Sequence, residues 1–169
     1  MHGTVRAAAF DELDPSTLYA LLRLRVDVFV VEQRCPYPEL DGRDTEPSAR
    51  HLWLERDQQP VAYLRLLEEP DGTARIGRVV VPRDARGAGL GGRLMKAALA
   101  RVGDRPCVLS AQSHLVGLYA RYGFSPTGQE YLEDGIPHVP MRRAGPSTTP
   151  PVIGRSTTPD GGPDKDPDR

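Results

Sequence analysis

The sequence predicts a mixed α/β domain around one central sheet, and three observations carry that prediction. Short β-branched and aromatic runs recur between Pro, Gly and Asp punctuation. Two stretches with helix spacing interrupt them, so that strands and helices alternate in the second half of the chain. The chain of 169 residues suits one domain with a proper core.

A first strand is expected over residues 4–10. Asp14 then offers an N-cap and Pro15 a first helical position, with Leu18, Leu21, Leu22 and Phe29 on the core side of the helix. Residues 33–50 contain Pro36, Pro38, Gly42 and Pro47 and read as loop or broken helix. Strand-like runs follow at 51–55 and 61–67, joined by a turn over 57–60, and a third run at 75–81 ends on Pro82. A polar loop over 83–88 enters a helix at 89–102, with Leu90, Leu94, Ala98 and Val102 on one side. Residues 107–111 read as a buried strand, and 114–122 as a helix stopped by Gly123. Two last strands, 124–132 and 139–143, flank a turn at Glu133-Asp134-Gly135. The predicted order is β-α-(loop)-β-β-β-α-β-α-β-β.

Composition narrows the function classes. A net charge of -1 gives no basic field to hold nucleic acid. The longest apolar run, residues 18–22, is far short of the ~20 residues of a membrane span. Two cysteines, Cys35 and Cys107, without metal or redox spacing suit a reducing compartment, so the expectation is a cytoplasmic protein that binds no membrane. The folded domain is expected over residues 3–143. Residues 144–169 are rich in Pro and Gly and lack aromatic residues, which predicts a disordered tail that buries too little apolar surface to offset ordering.

The most informative segment runs from Val79-Val80-Val81 through Pro82 to Arg86-Gly87-Ala88-Gly89-Leu90-Gly91-Gly92. A strand enters a glycine-rich turn that opens a helix. Unpaired N–H groups and the helix dipole favour phosphate there, glycines permit close approach, and Arg86 and Arg93 add charge. A purely structural turn is the bland alternative. Gly87-x-Gly89-x-x-Gly92 also fits the dinucleotide fingerprint formally. Five residues separate it from its strand, however, and the next strand ends in Ser110-Ala111-Gln112 without a carboxylate. The P-loop fails for want of Gly-Lys-Ser/Thr.

Arg86-x-x-Gly89-x-Gly91 resembles the Arg/Gln-x-x-Gly-x-Gly/Ala signature of the GNAT superfamily of N-acetyltransferases, and Tyr119-x-x-x-Gly123-Phe124 resembles its helix-ending pattern. Within that superfamily, Val28-Phe29-Val30-Val31-Glu32-Gln33, Cys35-Pro36-Tyr37, Asp41-Gly42-x-Asp44, Ile76-Gly77-Arg78-Val79, Ala111-Gln112-x-His114 and residues 133–138 look like the ElaA-like branch. The resemblance spans about residues 4–143. It implies a GNAT-like α/β fold, one mixed and mostly antiparallel sheet flanked by helices, with acetyl-CoA as cosubstrate and a small-molecule or peptide amine as acceptor. A homodimer is compatible with it.

The resemblance further implies that Val79, Val80 and Val81 pair with the pantetheine arm and that Arg86, Gly87, Ala88, Gly89, Leu90 and Gly91 cradle the pyrophosphate. Tyr119 becomes the general-acid candidate beside the cofactor, since a phenol stays protonated at neutral pH. Tyr122, one residue before the glycine, falls outside the pattern. Glu32 and His138 are candidate acceptor-pocket residues for catalysis, His114 a further base candidate, and no metal is expected. Cys107 in a buried strand and Cys35 without a neighbouring base are poor nucleophile candidates. Acids at Glu32, Glu39, Asp41, Asp44 and Glu46 suggest either an acidic mouth for cationic amines or scattered surface charge. A non-catalytic acyl-CoA sensor is the alternative function.

Overall fold

The computed structural model describes residues 3–145, and all but the first two residues of the tail expected over 144–169 lie outside the described residues. Strands β1 (Arg6–Ala8), β2 (Arg50–Arg56), β3 (Gln59–Glu68) and β4 (Ala74–Val80) form an antiparallel meander. Helix α2 (Leu90–Val102) leads into β5 (Cys107–Gln112), which lies parallel to β4. Strand β8 (Ile136–Arg143) is antiparallel to β5, and its outer edge takes β6 (Ser125–Pro126) and β7 (Tyr131–Glu133). The sheet is mixed and mostly antiparallel, as expected.

One sheet face packs Leu52, Leu54, Leu64, Leu66, Ala74 and Ile76 against Leu90, Leu94, Met95, Ala98 and Val102 of α2. The other packs Trp53, Tyr63 and Val80 against α1 (Pro15–Arg25). Asp14 caps α1 by accepting from the Thr17 N–H at 2.9 Å. The inward side of α1 differs from expectation: Leu21, Leu24 and Arg25 are buried, whereas Leu18 and Leu22 are only half-buried. The helix then widens into a seven-residue π-helical stretch, Val26–Glu32, which turns Val28 inward. Such insertions are rare and concentrate at functional sites.

Three expected elements are corrected. The turn after β2 is made by Asp57 and Gln58, both at positive φ, so Gln59 and Pro60 belong to β3. The helix over 114–122 shrinks to a 3-10 turn, Ser113–Leu115, and α3 (Val116–Ala120), closed by Gly123 at φ 88 with Phe124 N–H bonding Tyr119 C=O. The single strand over 124–132 is broken into β6 and β7. Pro140 carbonyl accepts from Thr127 N–H, so the missing Pro140 N–H faces the same outer edge and interrupts the ladder.

Candidate active site

Strands β4 and β5 pair at two positions, Ala74 with Cys107 and Arg75 with Val108, and then part. Arg78 at φ 54 forms a bulge in β4, where the register with β3 shifts between Tyr63 and Arg65. Val80 keeps its pairing to Tyr63 on the β3 side, so the opposite edge of Val79, Val80 and Val81 faces the opening. A 3-10 turn, Arg83–Ala85, follows. Gly87 (φ 86) and Gly89 (φ 73) then reverse the chain, and Gly89 is the N-cap of α2 without any side-chain cap. The first N–H groups of α2 are therefore left to an outside acceptor, and a Cβ on Gly87 or Gly89 would meet nothing within 4 Å. The loop is an open, donor-lined cradle. Ala88 is exposed on its rim, while the Leu90 side chain is buried and offers only its backbone.

The arginines are committed differently from the expectation. Arg93 donates to the Gly3 carbonyl and so ties α2 to the N-terminal segment. Arg86 donates from Nε to the Val81 carbonyl (2.8 Å) and from Nη2 to Glu32 (2.7 Å), and Arg83 reaches the same carboxylate at 3.1 Å. The Arg86 hydrogen bond leads the effects that hold the Glu32 carboxyl below its ordinary value. Glu32 thus lies against the glycine loop. Gly92 serves packing, since a Cβ there would sit 2.8 Å from the Tyr122 hydroxyl.

A cleft of about 440 Å³ occupies the opening, and because the strands part there, residues of both sheet faces line it. Tyr119 and His138 both line it; Glu32 and His114 do not. Tyr119 is buried, edge-on to Phe124 at 6.5 Å, and burial pushes its phenol up to about 12. His138 donates from Nδ1–H to the Ile136 carbonyl at 2.7 Å, which leaves Nε2 as the basic nitrogen, 3.5 Å from Glu133. Cys35 also lines the cleft, its thiol donating to the Asp134 carbonyl at 3.3 Å. Burial raises the Cys107 thiol to about 11, so it is no nucleophile.

Sequence reasoning missed a buried ion cluster beside the cleft. Arg25, wholly buried, binds Glu39 and Asp44 at 2.6 Å each; Arg65 binds Asp41 (2.7 Å) and Asp44 (3.0 Å); Arg78 binds Glu39 (2.9 Å) and Asp41 (3.3 Å). His51 and Tyr63 complete it. The signal was present: Arg25 lies at helical spacing from Leu21 and Val28, and Arg65 alternates with Tyr63 and Leu67. The acidic-mouth expectation is corrected, because all five of its carboxylates are paired: Glu32 with the loop arginines, Glu46 with Arg43, and the other three within the cluster.

Comparison with known proteins agrees with this arrangement. The chain matches the Acetyltransferase (GNAT) domain family over residues 23–144. It is 56% identical to a UPF0039 protein of Mycobacterium tuberculosis over 138 residues, 79% of this chain and 88% of that one. It is 44% identical to protein ElaA of Escherichia coli, over 78% of this chain and 90% of that one. Among solved structures, an acyl-CoA N-acyltransferase from Pseudomonas aeruginosa superposes with a TM-score of 0.80 at 49% identity, covering 83% of this chain and 99% of that one. E. coli ElaA superposes with a TM-score of 0.79 at 41% identity, covering 85% and 99%. With the glycine cradle, the parted strands and these relatives in agreement, the chain belongs to the GNAT acetyltransferase family, in its ElaA-like branch.

Proposed function

We propose that the protein transfers an acetyl group from acetyl-CoA directly to an amine, with Tyr119 and His138 as the proton-handling residues. The observation that carries this reading is that both line one cleft, opened by the parting of β4 and β5. The loop Arg86–Gly91 would hold the pyrophosphate on its backbone N–H groups, and the parted edge of Val79–Val81, whose Val81 carbonyl is already bonded by Arg86, would receive the pantetheine arm as an added strand through its remaining groups and polarise the thioester carbonyl. In the transfer, the amine nitrogen bonds to the carbonyl carbon and the carbon–sulfur bond breaks. His138 Nε2 takes the proton released from nitrogen, and the Tyr119 hydroxyl gives its proton to the departing sulfur. The elevated Tyr119 phenol keeps that proton available across the working range.

Glu32, bound to Arg83 and Arg86, is assigned to positioning the loop and takes no part in proton transfer. A cytoplasmic setting belongs to this reading, and two buried free thiols are compatible with it. Calorimetric titration with acetyl-CoA, CoA and NADH, with Gly89→Asp as control, tests the donor site. Thiol release over a panel of amines tests the transfer. Binding of the two CoA species alone, lost in Gly89→Asp and accompanied by amine-dependent thiol release, is expected. Binding without release on any amine would convert the reading to an acyl-CoA sensor.

A further inference from the structure

Four arginines line the cleft: Arg43, Arg65, Arg75 and Arg78. Three of them are each bound by two carboxylates, Arg43 by Glu46 and Glu69, Arg65 by Asp41 and Asp44, Arg78 by Glu39 and Asp41. Arg75 has one, Glu69, held from Nε at 2.6 Å and shared with Arg43. Its two Nη groups have no hydrogen-bond partner among the described residues and are not buried. The carboxylate that grips Arg75 does not itself line the cleft; Glu69 and Arg75 together line a second pocket of about 370 Å³, so Arg75 borders both.

Position adds to this. Arg75 is the last residue of β4 paired to β5, at the apex where the strands part. Leu67 on β3 is its cross-strand partner and also lines the cleft. Two residues along the same face, Gly77 supplies no side chain, and a Cβ there would meet nothing within 4 Å. The place a side chain at 77 would take is therefore open, between Arg75 and the β4 bulge. The guanidinium is fixed through Nε with its remaining donors unused, which is the preorganised fork that binds a carboxylate in bidentate fashion.

We propose that the acceptor amine carries a carboxylate, bound by the Nη groups of Arg75 at the apex of the β4–β5 opening. This rests on the acetyltransferase reading for the role of the ligand, while the anion site stands on geometry of its own. An amino acid or a peptide with a free C-terminus has the required pair of groups.

The test uses the full chain saturated with CoA, which cannot turn over, titrated with the twenty amino acids and their amides. At least one acid is expected to bind ten-fold or more tightly than its amide. That advantage should disappear in Arg75→Met and return in part in Arg75→Lys, with CoA affinity unchanged in both. Amides that bind as well as acids throughout the panel overturn the proposal, and so does an acid preference that survives in Arg75→Met or, where that variant fails to fold, is undiminished in Arg75→Lys. Thiol release from acetyl-CoA, read separately, isolates the transferase reading. Acid-selective binding without release keeps the anion site and removes the chemistry. Release with equal preference for acids and amides does the reverse.

Discussion

The carboxylate of Glu32 accepts a 2.7 Å hydrogen bond from Arg86, joining the end of the π-helical stretch to the glycine loop across 54 positions of sequence. The pair places a negative charge beside the cradle proposed for pyrophosphate. Glu32→Gln removes that charge and leaves Arg83 and Arg86 unneutralised. Acetyl-CoA should then bind about two- to fivefold more tightly at low salt, the range expected for a solvent-accessible ion pair, and the gain should vanish at high salt. Turnover at saturating acetyl-CoA should be unchanged. A large loss of turnover with unaltered affinity would return Glu32 to the chemistry.

Tyr119→Phe removes the hydroxyl and keeps the ring that packs on Phe124. Turnover should fall about 10²-fold, the usual contribution of a positioned acid, with acetyl-CoA affinity nearly intact. Tyr122→Phe is the paired control and should leave turnover within about twofold, because its hydroxyl lies against Gly92 of α2. Steady-state kinetics with a common amine check both. Equal losses in the two variants would remove Tyr119 from the proton path.

The shape of the loop proposed to hold the cofactor was readable from sequence because its demands fall on consecutive residues: a strand, positive-φ glycines and a helix start. Tyr119 and His138 could be named separately, but nothing local states that they meet in one cleft. That follows from β5 pairing with β4 at only two positions and with β8 along its length. The charged loop was misread for a related reason. Glu39, Asp41 and Asp44 look solvated by composition, whereas their partners Arg25, Arg65 and Arg78 come from three other elements. The commitment of Arg86 to Glu32 was equally hidden, since one side of that pair sits 54 residues away.

The buried cluster makes stability sensitive to acid in two stages. His51 Nε2–H donates to the Asp44 carbonyl at 3.0 Å, so Nδ1 accepts from the Tyr63 hydroxyl at 2.6 Å. Burial holds the imidazole below its usual 6.5 and so favours its neutral form in the fold. With the folded value depressed, its contribution is complete above pH 6.5 and is lost as the unfolded chain takes up a proton below it. For Asp44, burial alone would raise the carboxyl, but the Arg25 and Arg65 guanidiniums outweigh it and hold it below 3.8. Its contribution is lost only as pH falls below that value. Melting temperature should therefore decline gently from about pH 6.5 and steeply below about 4. His51→Gln should flatten the first stage relative to wild type and leave the second, as measured by thermal denaturation across pH.

Gly92 offers a test that separates packing from ligand binding within the glycine motif. In the first turn of an exposed helix, Gly→Ala gains helix propensity, about 0.5–1 kcal/mol. Here the new methyl would lie 2.8 Å from the Tyr122 hydroxyl, closer than carbon and oxygen can approach. That hydroxyl is the end of a rigid ring packed against the main core, so the ring must tilt or α2 must shift, and overpacking of this kind costs about 1–3 kcal/mol. Gly92→Ala should thus be destabilising overall, in spite of its propensity. Tyr122→Phe removes the clashing atom, and in that background the same substitution should become neutral or stabilising. The coupling between the two positions, read from urea denaturation of the four proteins, should reach about 1–2 kcal/mol, as expected for residues in contact. Additive effects would mean that Gly92 is required for something other than room for Tyr122, and the phosphate cradle would then be the next place to look.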